Sequence, residues 1–255
     1  MANFEKFGGA QASSGALRHI LREVKNSANI DIDPDRTELN YSLLPRRTMK
    51  PYSYLKQRLS ELHCMDREDV NVLCGWIITK PKDLPESEER RFFELCYDFL
   101  TRRYGGEKNA VAAEVHRDES GEPHLHFCFI PVSQKTDNQN LTAVVQYFKE
   151  HPEETNISKV ARELGTSRKT VRRYRNKTEA DIPDGKVSAY ELMNRKELLS
   201  FHGDLRRWLL QNGMDANINS GITQEQGGNR TIKELKQERE LQRQQEQTIE
   251  KEITF

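Results

Sequence analysis

Residues 110–129 read Ala110-Val-Ala-Ala-Glu114-Val-His116-Arg-Asp118-Glu119-Ser-Gly-Glu-Pro-His124-Leu-His126-Phe-Cys-Phe129, and three of the chain's seven histidines fall within eleven of these positions. Apolar runs at 110–116 and 125–132 flank a polar stretch containing Gly121 and Pro123, the pattern of two antiparallel strands and a tight connection. Strand side chains alternate between faces, so His124 and His126, two apart, share one. A hairpin brings His116, at the end of the first strand, opposite that pair. Three imidazoles converging with open positions make a divalent-metal site, and such ligands specify the metal poorly. Asp118 and Glu119 stand close enough to orient a ligand or accept a proton. Ordinary surface histidines at a sheet end are the alternative. A lone His-x-His would suit that reading; the third histidine and the acidic pair favour the metal site.

Working outward, residues 70–79 (VNVLCGWIIT) form another apolar, β-branched run and read as a buried strand. Residues 86–104 place Phe92, Phe93, Leu95, Cys96, Phe99 and Leu100 on a wide apolar helix face, ended by Gly105-Gly106. Residues 16–25 predict a helix with Leu17, Leu21 and Val24 on one side, stopped by the polar stretch 29–36 with Pro34. Residues 54–63 predict a short helix. Strand, helix, strand, strand at these spacings predicts an α+β fold, an antiparallel sheet with its helices on one face. Residues 133–141 read as polar loop. Residues 187–212 read as one helix turning Leu192, Leu198, Leu199, Phe201, Leu205, Trp208 and Leu209 to a core. Residues 221–230 read as flexible, and 231–253 as a Gln/Glu/Lys-rich helix too sparse in apolar positions for a heptad.

The 255 residues balance 40 lysines and arginines against 40 aspartates and glutamates. Charged residues make up 31%, above the roughly 25% of an average globular chain. Mean hydropathy is −0.86, and no apolar run nears the about 18 residues of a transmembrane helix. The first ten residues contain Glu5 and Lys6 and no hydrophobic block, unlike a signal peptide. Cys64, Cys74, Cys96 and Cys128 lack CxxC spacing and read as buried small hydrophobes in a reduced compartment. Net neutrality does not exclude nucleic acid, because the charge is uneven. Residues 156–177 hold eight lysines and arginines against Glu163 alone.

Within that basic stretch, residues 157–174 resemble a helix-turn-helix of the resolvase or Hin-like kind. Val160, Ala161 and Leu164 pack the first helix, Gly165 makes the turn, and Ser167 caps the second helix. Val171 and Tyr174 anchor it, leaving Arg168, Lys169, Arg172, Arg173 and Arg175 for phosphate and major-groove contacts. A solvated basic hairpin is the alternative.

Ser14-Gly-Ala-Leu-Arg18-His19, Asn29-Ile-Asp31-Ile-Asp33-Pro-Asp-Arg36 and Asn40-Tyr41 together resemble the first motif of MobV-type relaxases, the Pre/Mob plasmid recombination enzymes. His116-Arg-Asp118-Glu119 with Pro123-His124-Leu-His126 resembles that family's metal-binding motif, and residues 187–208 are similar to its helix after the sheet. From the residues alone, His19 between Arg18 and Arg22, off the apolar stripe, is a solvated basic face. The resemblance implies a relaxase of the histidine-hydrophobic-histidine superfamily: an antiparallel sheet with flanking helices, here carrying a small inserted helix-turn-helix. Such enzymes nick one DNA strand at the transfer origin of a plasmid or other mobile element, stay attached to its 5′ end and rejoin it. His19 would be the nucleophile, forming a phosphoramidate, with Glu119 or Asp118 taking its proton. His116, His124 and His126 would hold Mn²⁺ or Mg²⁺ against the scissile phosphate. Tyr41, Tyr52 and Tyr54 are rival nucleophiles. Arg18, Arg22 and Arg36 are assigned to DNA.

The expected organisation is a catalytic domain over residues 1–135 and 184–230, the insert over 140–180, and a C-terminal helix over 231–255. Expected partners are single- and double-stranded DNA at the transfer origin, together with a second copy of the chain or a relaxosome or coupling protein. The expected location is the bacterial cytoplasm, without membrane insertion. Two further readings stay open: a non-catalytic helix-turn-helix regulator on a relaxase scaffold, and a rolling-circle replication initiator.

Overall fold

Strands β1 (Ala2–Gly8), β2 (Tyr41–Ser42), β3 (Asn71–Thr79), β4 (Ala110–His116) and β5 (His124–Phe129) form an antiparallel sheet in the order β1-β3-β5-β4-β2. This is a computed structural model, which describes residues 2–24, 31–133 and 139–218. The hairpin register sets His116 opposite His124 and Glu114 opposite His126. As the central strand, β5 is enclosed on both sides. Leu125, Phe127 and Phe129 face one core; Cys128, in phase with His124 and His126, faces the other.

Helices cover both faces, not one. Around the chain run α1 (Gly9–Ile20), α2 (Pro51–Ser60), α3 (Glu89–Arg103), α4 (Gln139–Glu150), α5 (Ile157–Glu163), α6 (Arg168–Tyr174), α7 (Ala189–Leu192) and α8 (Arg195–Gln211). Phe92, Phe93 and Cys96 of α3 and Phe201 and Leu205 of α8 pack on Trp76, Ile78, Val115 and Phe127. The Phe201 ring stacks on Trp76 at 3.5 Å. On the opposite face Leu17 and Ile20 of α1 and Leu55 of α2 meet Leu73, Val111, Cys128 and Ile130. Full burial of each such side chain contributes roughly 1.5–3 kcal/mol. The single-face expectation fails because α1 and α2 each bring an apolar side of their own, which only the second face of the sheet can cover.

Other boundaries also differ. α1 begins at Gly9, well before residue 16, and β1 was not read as a strand at all. The predicted helix 187–212 is two, because Asn194 accepts from the Glu197 amide at 3.1 Å and starts α8 afresh. Cys74, Cys96 and Cys128 are buried and Cys64 half-buried, all four as free thiols. Among the described residues no helix is long and apolar enough to cross a membrane. The predicted segments 221–230 and 231–253 lie outside the described residues.

The chain leaves the sheet region along β6 (Val132–Ser133) and returns along β7 (Lys186–Val187), and these two strands pair antiparallel. Gly185, at φ +146°, lets the returning chain pass within contact of Val132. Between them α4, α5 and α6 enclose a small core of Val144, Val160, Ala161 and Val171, with Leu164 and Tyr174 packed against it. Gly165 turns the chain with φ +58°, and Ser167 Oγ caps α6 by accepting from the Thr170 amide.

Candidate metal centre

His116, Glu119, His124 and His126 each bring one donor atom to within 4.8 Å of the others. Their outer hydrogen bonds aim them. His116 Nε2 donates to the Ile20 carbonyl at 2.8 Å, satisfying a group left over at the end of α1 and turning Nδ1 toward the cluster. His124 Nδ1 donates to the Glu122 carbonyl at 3.3 Å, and its Nε2 faces Glu119 Oε2 at 3.5 Å. His126 Nε2 is buried with no hydrogen-bond partner among the described residues. A buried polar atom without a partner is costly, and imidazole and carboxylate donors around it suit a divalent cation. Burial, then the charges of His116 and His124, push His126 well below the ordinary histidine range, so its lone pair stays free. Glu119 joins this set as a fourth donor, whereas the sequence assigned it to orienting a ligand or accepting a proton; its place three residues after His116 was the available signal.

The loop carrying Asp118 and Glu119 is clipped to the first motif by its backbone. The Asp33 amide donates to the Asp118 carbonyl at 2.7 Å, and the Ser120 amide to the Asp31 carbonyl at 3.0 Å. Asp33 caps the turn over Pro34–Leu39, and Asn40 Oδ1 accepts from the Arg117 amide at 2.7 Å. The two motifs, some 80 residues apart in the chain, therefore build one loop cluster.

α1 supplies the third part. Its end is a left-handed stop: the Glu23 amide donates to the Arg18 carbonyl and the Arg22 amide to the His19 carbonyl, with Arg22 at φ +54°. Glycine is the usual occupant of such a position; a side chain there costs roughly 1–2 kcal/mol. The guanidinium lies in the cluster. Nε donates to Asp118 Oδ2 at 2.9 Å, and Nη2 to Asp118 Oδ1 at 2.6 Å, Glu119 Oε1 at 2.7 Å and His116 Nδ1 at 3.0 Å. Arg22 is thus turned inward, whereas Arg18 and Arg36 are exposed. Burial opposes ionisation of Asp118, but hydrogen bonds from Arg22 and Thr37 and the Arg22 charge hold its carboxyl at about 2. Glu119 is likewise held below the usual range, burial being outweighed by His116 and Arg22. His19 is half-buried at the same helix end. Burial first, then Arg22 and His116, lower its basicity against the opposing pull of Glu119 and Asp118.

The tyrosines lie elsewhere. Tyr41 packs against the core on the α3 and α8 side, its buried hydroxyl without a hydrogen-bond partner among the described residues and pushed up to about 12 by burial and Glu89. The Tyr54 hydroxyl donates to the Lys108 carbonyl at 2.8 Å, and Tyr52 packs with the α1 and α2 core. Arg168, Lys169, Arg172, Arg173 and Arg175 are all exposed on α6 and its end, and among the described residues none is in an ion pair.

A family model described as plasmid recombination enzyme (Mob_Pre) matches residues 1–176. Plasmid recombination enzymes of Bacillus thuringiensis and Streptococcus agalactiae are 34% and 38% identical over 125 and 126 residues. Those stretches are 47% and 46% of this chain but 28% and 25% of the relatives, so the chain spans about a quarter of the length of these curated proteins. The crystal structure of the Mn-bound MobM relaxase domain with plasmid pMV158 oriT DNA superposes with a TM-score of 0.61 at 24% identity, over 93% of this chain and 97% of that one. At that identity the likeness shows a shared fold.

Proposed function

Because the chain belongs to the plasmid recombination enzyme family, we propose that it is a relaxase, nicking and rejoining one DNA strand at the transfer origin of a mobile element. The observation that carries this is the placement of His19, half-buried at the helix end whose Arg22 bonds Asp118, Glu119 and His116, beside three histidines poised as ligands. Lowered basicity keeps His19 neutral near pH 7, with a ring lone pair available. Attack on the scissile phosphorus forms a P–N bond and breaks the P–O3′ bond, leaving the 5′ phosphate on His19, and the departing O3′ takes a proton from water to become a 3′ hydroxyl. Glu119 accepts the proton released from the other ring nitrogen. Asp118, saturated by Arg22 and Thr37, positions Arg22 and is no base. A divalent ion on His116, His124 and His126, Mn²⁺ as in the MobM crystals, supplies positive charge to the phosphate. The orientation of Tyr41 toward the opposite core supports His19 over that tyrosine.

We assign residues 140–180 to a duplex grip inserted within a catalytic unit of 1–135 and 184–230, its exposed cations on α6 meeting phosphates beside the nick. The paired β6 and β7 support that division. The setting is the bacterial cytoplasm, with a second copy or a relaxosome or coupling protein as companions. The test is supercoiled cognate plasmid with Mn²⁺ or EDTA, using wild type and His19→Ala, and probing products for covalent protein. Metal-dependent nicking with a 5′ adduct, lost in His19→Ala, is expected. An adduct that survives His19→Ala refutes the nucleophile; no nicking at all by wild type refutes the relaxase.

A further inference from the structure

Arg22 Nη2 engages two of the four donor residues of the metal centre, His116 through Nδ1 and Glu119 through Oε1. A ring lone pair accepting an N–H bond cannot at the same time bind a metal. The same edge of the guanidinium is also anchored outside that set: Nε bonds Asp118 Oδ2, which Thr37 Oγ1 also holds at 3.1 Å, and Nη2 bonds Asp118 Oδ1 at 2.6 Å. Asp118 is fully buried and is not among the four donors. The backbone at Arg22 accepts a left-handed strain that glycine would avoid, so the position is kept for what its side chain does.

We propose that the Arg22 guanidinium and the divalent ion are alternative occupants of one ligand set, exchanged by a pivot of the rigid guanidinium plane about its Asp118 contacts, away from His116 and Glu119. This rests on the reading of the four donors as a metal site. The arginine balances Glu119 and caps His116 Nδ1 until an ion of higher charge displaces it. A monovalent ion, carrying no more charge than the guanidinium, gains nothing by the exchange. Arg22 is thereby a positioning residue that sets metal affinity and selects for divalent ions.

Mn²⁺ binding to the DNA-free full chain, followed by the electron paramagnetic resonance of free ion, tests this on wild type, Arg22→Gln, Arg22→Gly and Arg18→Gln. Loss of the competing charged hydrogen bonds should tighten Mn²⁺ by about tenfold or more in both Arg22 variants. Arg18→Gln, which removes an exposed charge from the same helix end, should change it by less than about twofold. In wild type, nitrogen-15 spectra with Mg²⁺ should shift the Arg22 Nη signals and leave the Nε–H protected. Binding that is unchanged or weaker in the Arg22 variants overturns the exchange alone, as does a guanidinium spectrum indifferent to Mg²⁺. Failure of every form to bind Mn²⁺ overturns the metal site itself and the exchange with it.

Discussion

At the histidine end of the sheet, Arg22 lies 13% exposed between Asp118 and Glu119, and Arg117 bridges Glu86 and Glu89. In the helical segment between β6 and β7, five cations on and just after α6 stand exposed with no carboxylate partner among the described residues. Charge neutralised inside a fold orients neighbours and tunes their protonation. Charge left outside, unpaired and gathered on one short helix, is available to a polyanion. The cores differ in the same sense. Beneath the site, aromatic and aliphatic layers cover both faces of a central strand, whereas the segment between β6 and β7 closes over a small cluster of buried residues.

The largest expected effect follows from those cores. Phe127, on the same strand as His124 and His126, is buried against Tyr97 and Phe129. Phe127→Ala should cost about 3–5 kcal/mol in urea denaturation and weaken Mn²⁺ binding, because the strand that aims the histidines loses its packing. Val171→Ala should cost about 1–3 kcal/mol and leave Mn²⁺ binding intact. Equal damage to metal binding by both variants would mean that sheet and insert behave as one cooperative body.

A middle-sized effect sharpens the contrast of charges. Removing two exposed cations with Arg172→Ala and Arg173→Ala should weaken duplex binding at low salt and reduce the log–log salt slope by about two, roughly one per phosphate contact. Mn²⁺ affinity should not move. Filter or fluorescence titrations across a salt series read the slope directly. An unchanged slope would return these arginines to the role of a solvated face.

What sequence disclosed and what it hid divide along physical lines. The hairpin and its histidines were legible because a period of two, a tight polar turn and three imidazoles all agree locally. The anchors of α5 and α6, Val160, Leu164 and Val171, were legible from helical spacing for the same reason. β1 was not: Ala2–Gly8 is an edge strand with Glu5 and Lys6 in solvent, defined by backbone pairing to β3 some 70 residues later. Arg22 could not be read either. Its left-handed backbone and its reach to Asp118, 96 positions away, leave no periodic trace, so it passed for one more DNA-facing arginine. α4 did leave a trace in Leu141, Val144, Val145 and Phe148 at helical spacing, obscured by the polar run before it.

The smallest effect concerns the seam between the two regions. Asp184, in the returning chain just before β7, accepts from Arg58 Nη2 of α2 at 2.6 Å and from Lys108 Nζ at 2.8 Å. Arg58 is nearly buried and also meets Glu61 at 2.7 Å and Asn109 Oδ1. Hydrogen bonds from Lys108 and Arg58 hold the Asp184 carboxyl below its ordinary value. A carboxylate whose folded value is depressed stabilises the fold above the unfolded value, near 4, and loses that contribution as pH falls through the folded value. Because the Asp184 side chain is 48% exposed, solvent screening limits the effect to about 0.5–1 kcal/mol. Asp184→Asn should therefore be less stable than wild type by that amount at pH 7, and the two melting curves should converge as pH falls below the unfolded carboxylate value, near 4, and through the depressed folded value. The Arg58 ion pair with Glu61 persists in the variant and keeps the loss small. A difference that stays constant into acid would show that Asp184 acts through the shape of the turn, with the insert joined to the sheet by backbone pairing alone.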